Sequence, residues 1–162
     1  MPDRTLLATA FPPMAPATPA YMKDPKYGTA KEIMELPAAK LAAVLKDSGA
    51  SVYAKAKACQ RLALVGDRSA VPALAALLSD PQLSGYARFG LEPLPDPAAD
   101  DALRAALPKL QGKLLVGVIN SIGFRKDAQA LTTLERLRFD PNVDVEVVRA
   151  ADVALARIRP PR

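Results

Sequence analysis

The stretch "KACQRLALVGDRSAVPALAALLSDP", residues 57–81, decides the fold class of this chain. Its apolar residues recur at helical spacing on both sides of Gly66-Asp67, a pattern that predicts two short amphipathic helices joined by a turn. Ala and Leu dominate the stretch, and both are strong helix formers. Asp80-Pro81 closes it with a typical turn signal. The stretch therefore predicts a pair of helices that bury one face each.

The same pattern recurs sixty residues later, in "GVINSIGFRKDAQALTTLERLRFDP" at residues 117–141. The two stretches align without a gap, and their identities fall on the apolar stripe and on the turns. The identical pairs are Asp67/Asp127, Ala70/Ala130, Leu74/Leu134, Leu77/Leu137, Asp80/Asp140 and Pro81/Pro141. A further pair of helices is predicted between them, and a last unit at residues 143–158 stops after one helix. Recurrence at a fixed spacing indicates a helical repeat protein.

The ends of the predicted helices carry recognisable boundary residues. Gly66 and Gly123 lie at or near helix ends, where a left-handed backbone costs glycine little. Asp96-Pro97 is typical of an N-cap followed by proline at the first helical position. Asp67 and Asp127 occupy equivalent places after the first helix of a unit, and we therefore expect them to cap turns rather than to take part in catalysis.

Three segments, "AVPALAALLSDP" (70–81), "ACQRLALVGD" (58–67) and "RAADVALARI" (149–158), resemble short bacterial HEAT repeats, also called PBS-lyase-type HEAT-like repeats. The resemblance covers roughly residues 52–158 and departs from the repeat pattern in the proline-rich loop at 93–97. It implies an all-α fold, an α-solenoid in which HEAT-like helix pairs form a right-handed superhelix. HEAT repeats generally bind other macromolecules, so the resemblance also implies a binding function. A bilin-attaching lyase is suggested by the family name alone, and no residue of this chain supports it.

Stacked helix pairs bury their apolar faces against one another, and about three pairs are needed for a stable stack. We accordingly divide the chain into a Pro-rich extended segment or strap (1–30), an N-terminal capping helix (31–50), a stack of three helix pairs plus a closing helix (51–158) and a short tail (159–162). For the first segment, an ordered strap and a solvated tail stay open as alternatives. Within the stack we expect Leu62, Leu74, Ile122 and Leu134 to be buried.

The composition limits the classes of function. The chain has no histidine and one cysteine, Cys59, which lies on an apolar helix face and is predicted to be a buried, inert thiol. Zinc sites of the common nitrogen and sulfur type and histidine-based catalytic triads are therefore excluded. Neither a Walker A loop nor a dinucleotide-binding glycine motif is present. We expect no cofactor, no metal site and no enzymatic activity.

Four polar residues are candidates for a partner-binding surface: Arg88, Asn120, Arg125 and Arg149. Two interpretations stay open for them. In the first, these residues make hydrogen bonds between neighbouring repeats, which the alignment of Gln60 with Asn120 supports. In the second, they lie on a concave surface that contacts a partner, where arginine is a common hot-spot residue.

The expected partner is a protein or a peptide, and the chain is then a scaffold without catalytic activity. Nucleic-acid binding is the second interpretation, because the net charge is +5 and a basic stripe would contain Arg88, Lys113, Arg125, Lys126 and Arg149. No apolar run approaches the roughly 18 residues of a membrane span. We expect a cytoplasmic protein, or an exported one if a leader precedes this sequence.

Overall fold

The computed structural model describes residues 19–159, and this part of the chain is mostly helical, as the sequence predicts. The helices are α1 (Ala30–Met34), α2 (Ala38–Lys46), α3 (Val52–Val65), α4 (Val71–Ala75), α5 (Ser84–Leu91), α6 (Pro97–Ala106), α7 (Gly112–Arg125), α8 (Leu131–Arg138) and α9 (Val145–Ile158). Short 3-10 helices cover Ala20–Met22, Arg68–Ala70, Leu107–Lys109 and Ala128–Ala130. Strands β1 (Lys23–Asp24) and β2 (Gly28–Thr29) form a small antiparallel hairpin before α1.

The aspartates that the sequence predicts to be capping residues cap helix starts in the structure. The carboxylate of Asp96 accepts a hydrogen bond of 2.8 Å from the backbone N–H of Ala98, and Pro97 is the first residue of α6. Asp67 and Asp127 accept equivalent bonds from residues two positions on, at 2.8 and 3.0 Å. Each carboxylate satisfies a backbone donor that the start of a helix leaves without an internal partner.

The two glycines predicted to be left-handed are not. Gly66 follows α3 in an extended conformation with φ of −72°, and Gly123 lies inside α7. The left-handed residue after α7 is Lys126, with φ of 56°. Gly123 is instead required for packing, because a Cβ atom there would lie 2.8 Å from the Cα atom of Ala154 in α9.

The helices contact one another in two series. In one, α3 contacts α5, α5 contacts α7 and α7 contacts α9; in the other, α2 contacts α4 and α4 contacts α6. The series are joined by contacts of α2 with α3, α4 with α5, α6 with α7 and α8 with α9. The core lies between them, and the four predicted core residues, Leu62, Leu74, Ile122 and Leu134, are all fully buried.

Helix α4 is shorter than the apolar pattern that predicts it. It ends at Ala75, but Leu77 and Leu78 stay buried because the chain continues in tight turns. Their backbone N–H groups donate to the carbonyls of Leu74 and Ala75 at 3.0 and 3.1 Å. Such i to i−3 bonds commonly tighten the last turn of a helix.

The N-terminal part of the described chain packs against the start of α3. Asp24 is buried, and its carboxylate accepts backbone hydrogen bonds from Lys26, Tyr27 and Ser51 at 2.7, 2.8 and 2.7 Å. Residues 1–18 of the predicted strap lie outside the described residues. The segment 31–50, predicted as one capping helix, contains most of α1 and all of α2, with Pro37 between them. Proline disfavours a helical conformation in the residue before it, which explains the break.

None of the helices within residues 19–159 is long and apolar enough to cross a membrane.

Candidate interaction groove

An open groove of about 560 Å³ crosses α3, α5 and α7 and is called the α5 groove below. Gln60 of α3 lies on one side, Tyr86 and Phe89 of α5 form its middle, and Lys113 and Leu114 of α7 close the other side. Three helices that are far apart in sequence therefore contribute to one concave surface. A concave surface with aromatic and polar lining is the usual form of a binding site.

The aromatic side chains of the groove are exposed because of how α5 is packed. Its small residues Ala87 and Gly90 face the core, and a Cβ atom at Gly90 would lie 2.7 Å from a methyl group of Leu74. Tyr86 and Phe89 are consequently left on the outer face, 39% and 54% exposed. Large aromatic rings held in water next to a groove are typical of interaction surfaces.

Ser84 lines the groove at the beginning of α5 and is only 4% exposed. Its hydroxyl makes no hydrogen bond within the described part of the chain. A buried hydroxyl without a partner costs free energy, on the order of 1–3 kcal/mol. Because the Oγ atom itself has almost no accessible surface, a ligand in the groove reaches it only if the Ser84 side chain changes rotamer.

Arg88, one of the four candidate residues, lies in the wall of the α5 groove. Its Nη1 atom donates to the carbonyl of Gly117 at 3.2 Å and to the hydroxyl of Ser121 at 3.4 Å. The Glu92 carboxylate accepts from Ser121 at 2.6 Å and lies 4.0 Å from Nη1 of Arg88. A Cβ atom at Gly117 would lie 2.8 Å from Cζ of Arg88, so the glycine makes room for the guanidinium.

The groove is positively charged. Arg88 and Lys113 line it, and no carboxylate does. No ion pair of Lys113 occurs in residues 19–159, and the Nε atom of Arg88 has no hydrogen-bond partner there. The exposed ammonium of Lys113 is therefore the charged donor that the groove presents to an occupant, whereas Nε of Arg88 is buried.

The Arg125 side chain is buried and makes its hydrogen bonds within the chain. Its Nε and Nη2 atoms donate to the carboxylate of Asp100 at 2.5 and 2.8 Å, and its side chain is 8% exposed. Its Nη1 atom donates to three backbone carbonyls at the end of α5 and in the loop that follows. They are those of Leu91, Glu92 and Leu94, at 3.1, 2.9 and 2.5 Å. Hydrogen bonding to Asp100 raises the pKa of the Arg125 guanidinium further above its ordinary value. This geometry matches the interpretation of Arg125 as a link between repeats.

The other two candidate residues lie on the surface. Asn120 is exposed on α7, and Arg149 of α9 has a 70% exposed side chain that donates to Glu146 at 3.2 Å. The structure therefore does not bring the four candidates together. Arg88 lies in the wall of the groove, Arg125 is hydrogen-bonded to the loop after α5, and the other two are exposed elsewhere on α7 and α9.

Sequence reasoning missed Ser84, Tyr86 and Phe89 as groove residues. The available signal was the position of the aromatic rings next to, rather than on, the apolar stripe of α5. The phenylalanines within residues 19–159 are all exposed: Phe89, Phe124 and Phe139 are 54%, 60% and 77% exposed. The core is built from aliphatic residues instead.

A larger cavity of about 890 Å³ lies between α8 and α9, and four of its charged side chains form two ion pairs. Arg138 pairs with Asp152 at 2.7 Å, and Arg159 pairs with Glu135 at 2.6 Å. No group of three or more potential metal ligands is found within residues 19–159. Of the two cavities, the α5 groove is the one that presents buried, unpartnered polar atoms.

No protein-family model matches this chain, and the comparison with curated proteins finds no match. The functional assignment therefore depends on the chemistry of the groove and on the contacts between helices.

Proposed function

We propose that the protein is a non-enzymatic interaction scaffold, an α-solenoid of HEAT-like helix pairs that binds a protein or peptide partner in the α5 groove. The observation that carries this proposal is the exposure of Tyr86 and Phe89 beside the buried, unpartnered hydroxyl of Ser84.

The solenoid part of the proposal is supported by the order of the helix contacts. Helices α3, α5, α7 and α9 contact one another in sequence, with α2, α4 and α6 as a second series. In a helical solenoid each unit contacts its neighbours in this way, and the apolar face of one unit is covered by the next. The sixty-residue recurrence in the sequence supports the same arrangement.

The binding part of the proposal is supported by the composition of the groove. Tyr86, Phe89 and Leu114 supply apolar area, and Gln60 and Gln82 supply amide groups that can pair with an extended backbone. Arg88 contributes charge from the wall. Arg125 acts as a positioning residue for the loop after α5, and Asn120 and Arg149 stay predicted partner-binding residues on α7 and α9.

A protein partner is favoured over nucleic acid by the state of the basic residues. The predicted stripe needs several cations free to neutralise phosphates. Arg125 is instead bound to Asp100, and Arg149 is bound to Glu146. The stripe is thus interrupted at Arg125, and the Glu146 carboxylate partly balances the charge of Arg149.

Site-specific photo-crosslinking tests the scaffold function. A photoreactive phenylalanine analogue replaces Tyr86 in one variant and the exposed Phe139, outside the groove, in a control variant. After irradiation in lysate of the source organism, we expect a discrete protein adduct at position 86 that the control does not form. Absence of any adduct at position 86, or the same adducts from both variants, would contradict the proposal.

A further inference from the structure

We propose that the α5 groove recognises a carboxylate, and that its occupant is an extended acidic peptide segment with an apolar residue next to the acid. The Asp or Glu side chain of this segment binds the exposed ammonium of Lys113, and the neighbouring apolar side chain packs on Tyr86 and Phe89. This inference rests on the proposed scaffold function and names the chemistry of its partner.

The charge of the groove is the first step. Two cations line it and no carboxylate does, whereas Arg138, Arg149 and Arg159 outside the groove each pair with an Asp or Glu residue. Complementary potential favours an acidic partner and repels a basic one. A Lys-rich segment is therefore disfavoured at this site.

The second step is the kind of polar atom that lacks a partner. Nε of Arg88 and the ammonium of Lys113 are donors only, and the hydroxyl of Ser84 is able to donate as well. Nε of Arg88 and Oγ of Ser84 are both buried without a hydrogen bond in residues 19–159. The donor that an occupant reaches directly is the exposed ammonium of Lys113, whereas the two buried atoms lie beneath the accessible surface. An ionised carboxylate is the strongest acceptor that an unmodified peptide carries for this ammonium.

The third step separates a carboxylate from a phosphate. The Arg88 guanidinium already has Glu92 at 4.0 Å, so its charge is partly balanced within the chain. The positive charge that remains unbalanced in the groove suits one negative charge better than the nearly doubly charged phosphate of a modified residue. Such phosphates are usually bound by clusters of arginine.

The fourth step is the apolar platform. Tyr86 and Phe89 are one helical turn apart on α5, and Leu114 of α7 faces the same groove. Rings at this spacing present a continuous surface along one side of a helix. An apolar side chain adjacent to the acid covers this surface, and the sequence preference of the groove is therefore an acid next to a Leu, Ile or Phe residue.

Selection from a random peptide library tests this inference with the full-length protein. Degenerate octapeptides with acetylated N termini, free lysine side chains and amidated C termini are passed over the immobilised protein, and the retained pool is sequenced. We expect enrichment of Asp and Glu beside apolar residues. The best peptide and its Asp→Asn or Glu→Gln counterpart are then labelled and titrated by fluorescence anisotropy, and we expect at least about tenfold weaker binding of the neutral counterpart.

Matched variants locate the binding site. Lys113→Glu and Phe89→Ala are each expected to weaken the selected acidic peptide about tenfold or more, whereas Lys40→Glu and Phe139→Ala, which change exposed residues outside the groove, are expected to leave it unchanged. Unchanged melting temperatures of all four variants show that the fold is intact.

The outcomes separate the inference from the proposed function. Retained peptides that depend on Phe89 but are neutral or basic overturn carboxylate recognition and leave the scaffold function standing. Retention of a phosphoserine counterpart with higher affinity than the acidic peptide also overturns it, as does preferred binding of a single-stranded oligonucleotide. Failure to retain any peptide, together with an adduct at position 86 in the crosslinking experiment, assigns the groove to a folded surface instead of an extended acidic segment.

Discussion

Gly123 of α7 lies so close to Ala154 of α9 that a Cβ atom on the glycine would be 2.8 Å from the Cα atom of Ala154 and 2.9 Å from its Cβ atom. The closest atom is backbone, which has no rotamer by which to move away. The close approach of the two helices therefore depends on the absence of a side chain at position 123.

Gly123→Ala is expected to lower the melting temperature. Alanine is favoured over glycine inside a helix by about 1 kcal/mol, but overpacking a tight contact costs about 1–3 kcal/mol. The matched control is Gly85→Ala in α5, where the nearest atom to a new Cβ is 3.9 Å away, and this variant is expected to be as stable as the parent or more stable. Thermal melts followed by circular dichroism compare the two, and a more stable Gly123→Ala variant would contradict the predicted contact.

Arg125→Gln is expected to destabilise the protein by about 3 kcal/mol, because it leaves the Asp100 carboxylate and three loop carbonyls without their donor. Arg149→Gln removes an exposed pair with Glu146 and is expected to change stability by less than about 0.5 kcal/mol. Urea denaturation of both variants measures the difference. Equal losses would show that Arg125 does not hold the loop.

Asp24 makes stability depend on pH. Burial raises the pKa of its carboxyl, but hydrogen bonds from Ser51, Tyr27 and Lys26 outweigh burial and hold the pKa below the ordinary value of 3.8. A lowered folded-state pKa contributes stability above the ordinary value, and this contribution is lost as the pH falls through the folded-state pKa. Asp24→Asn is therefore expected to melt at a lower temperature than the parent at pH 7, with the difference shrinking below about pH 4. Calorimetry from pH 7 to pH 2 checks this, and a difference that stays constant is the contrary result.

Leu74→Asp and Ile122→Asp are each expected to unfold the helical stack, because both side chains are fully buried and an unpaired charge there costs about 4 kcal/mol or more. Leu64→Asp changes a leucine that is 74% exposed and serves as the control. Far-ultraviolet circular dichroism distinguishes the cases. Full helicity and an unchanged melting temperature in the buried variants would count against the assigned core.

The thiol of Cys59 is expected to be unreactive in the folded protein. Burial raises its pKa to about 12, so almost no thiolate exists near neutral pH, and the side chain is fully buried. Reaction with a chromogenic disulfide reagent at pH 8 is expected only after unfolding in urea. Rapid stoichiometric reaction of the native protein would show that α3 opens readily.

Several features followed directly from local sequence patterns. The buried positions of Leu62, Leu74, Ile122 and Leu134 follow from helical periodicity, and the capping roles of Asp67, Asp96 and Asp127 follow from their places before helices. These properties depend on neighbours three or four residues away in the chain. Gly123 was misread on the same local grounds, since the residue that demands a glycine there is Ala154, thirty-one positions further on.

The sequence by itself determined that the described chain is mostly helical, which faces of its helices are buried and that Asp67, Asp96 and Asp127 cap helix starts. Only the tertiary structure decided that Arg125 donates hydrogen bonds to Asp100 and that Arg88 donates one to the carbonyl of Gly117. It also decided that Tyr86 and Phe89 border a groove with Lys113. The physical reason is that periodicity and capping are set by short-range backbone geometry. A groove depends on which helices become neighbours and how closely small residues let them approach.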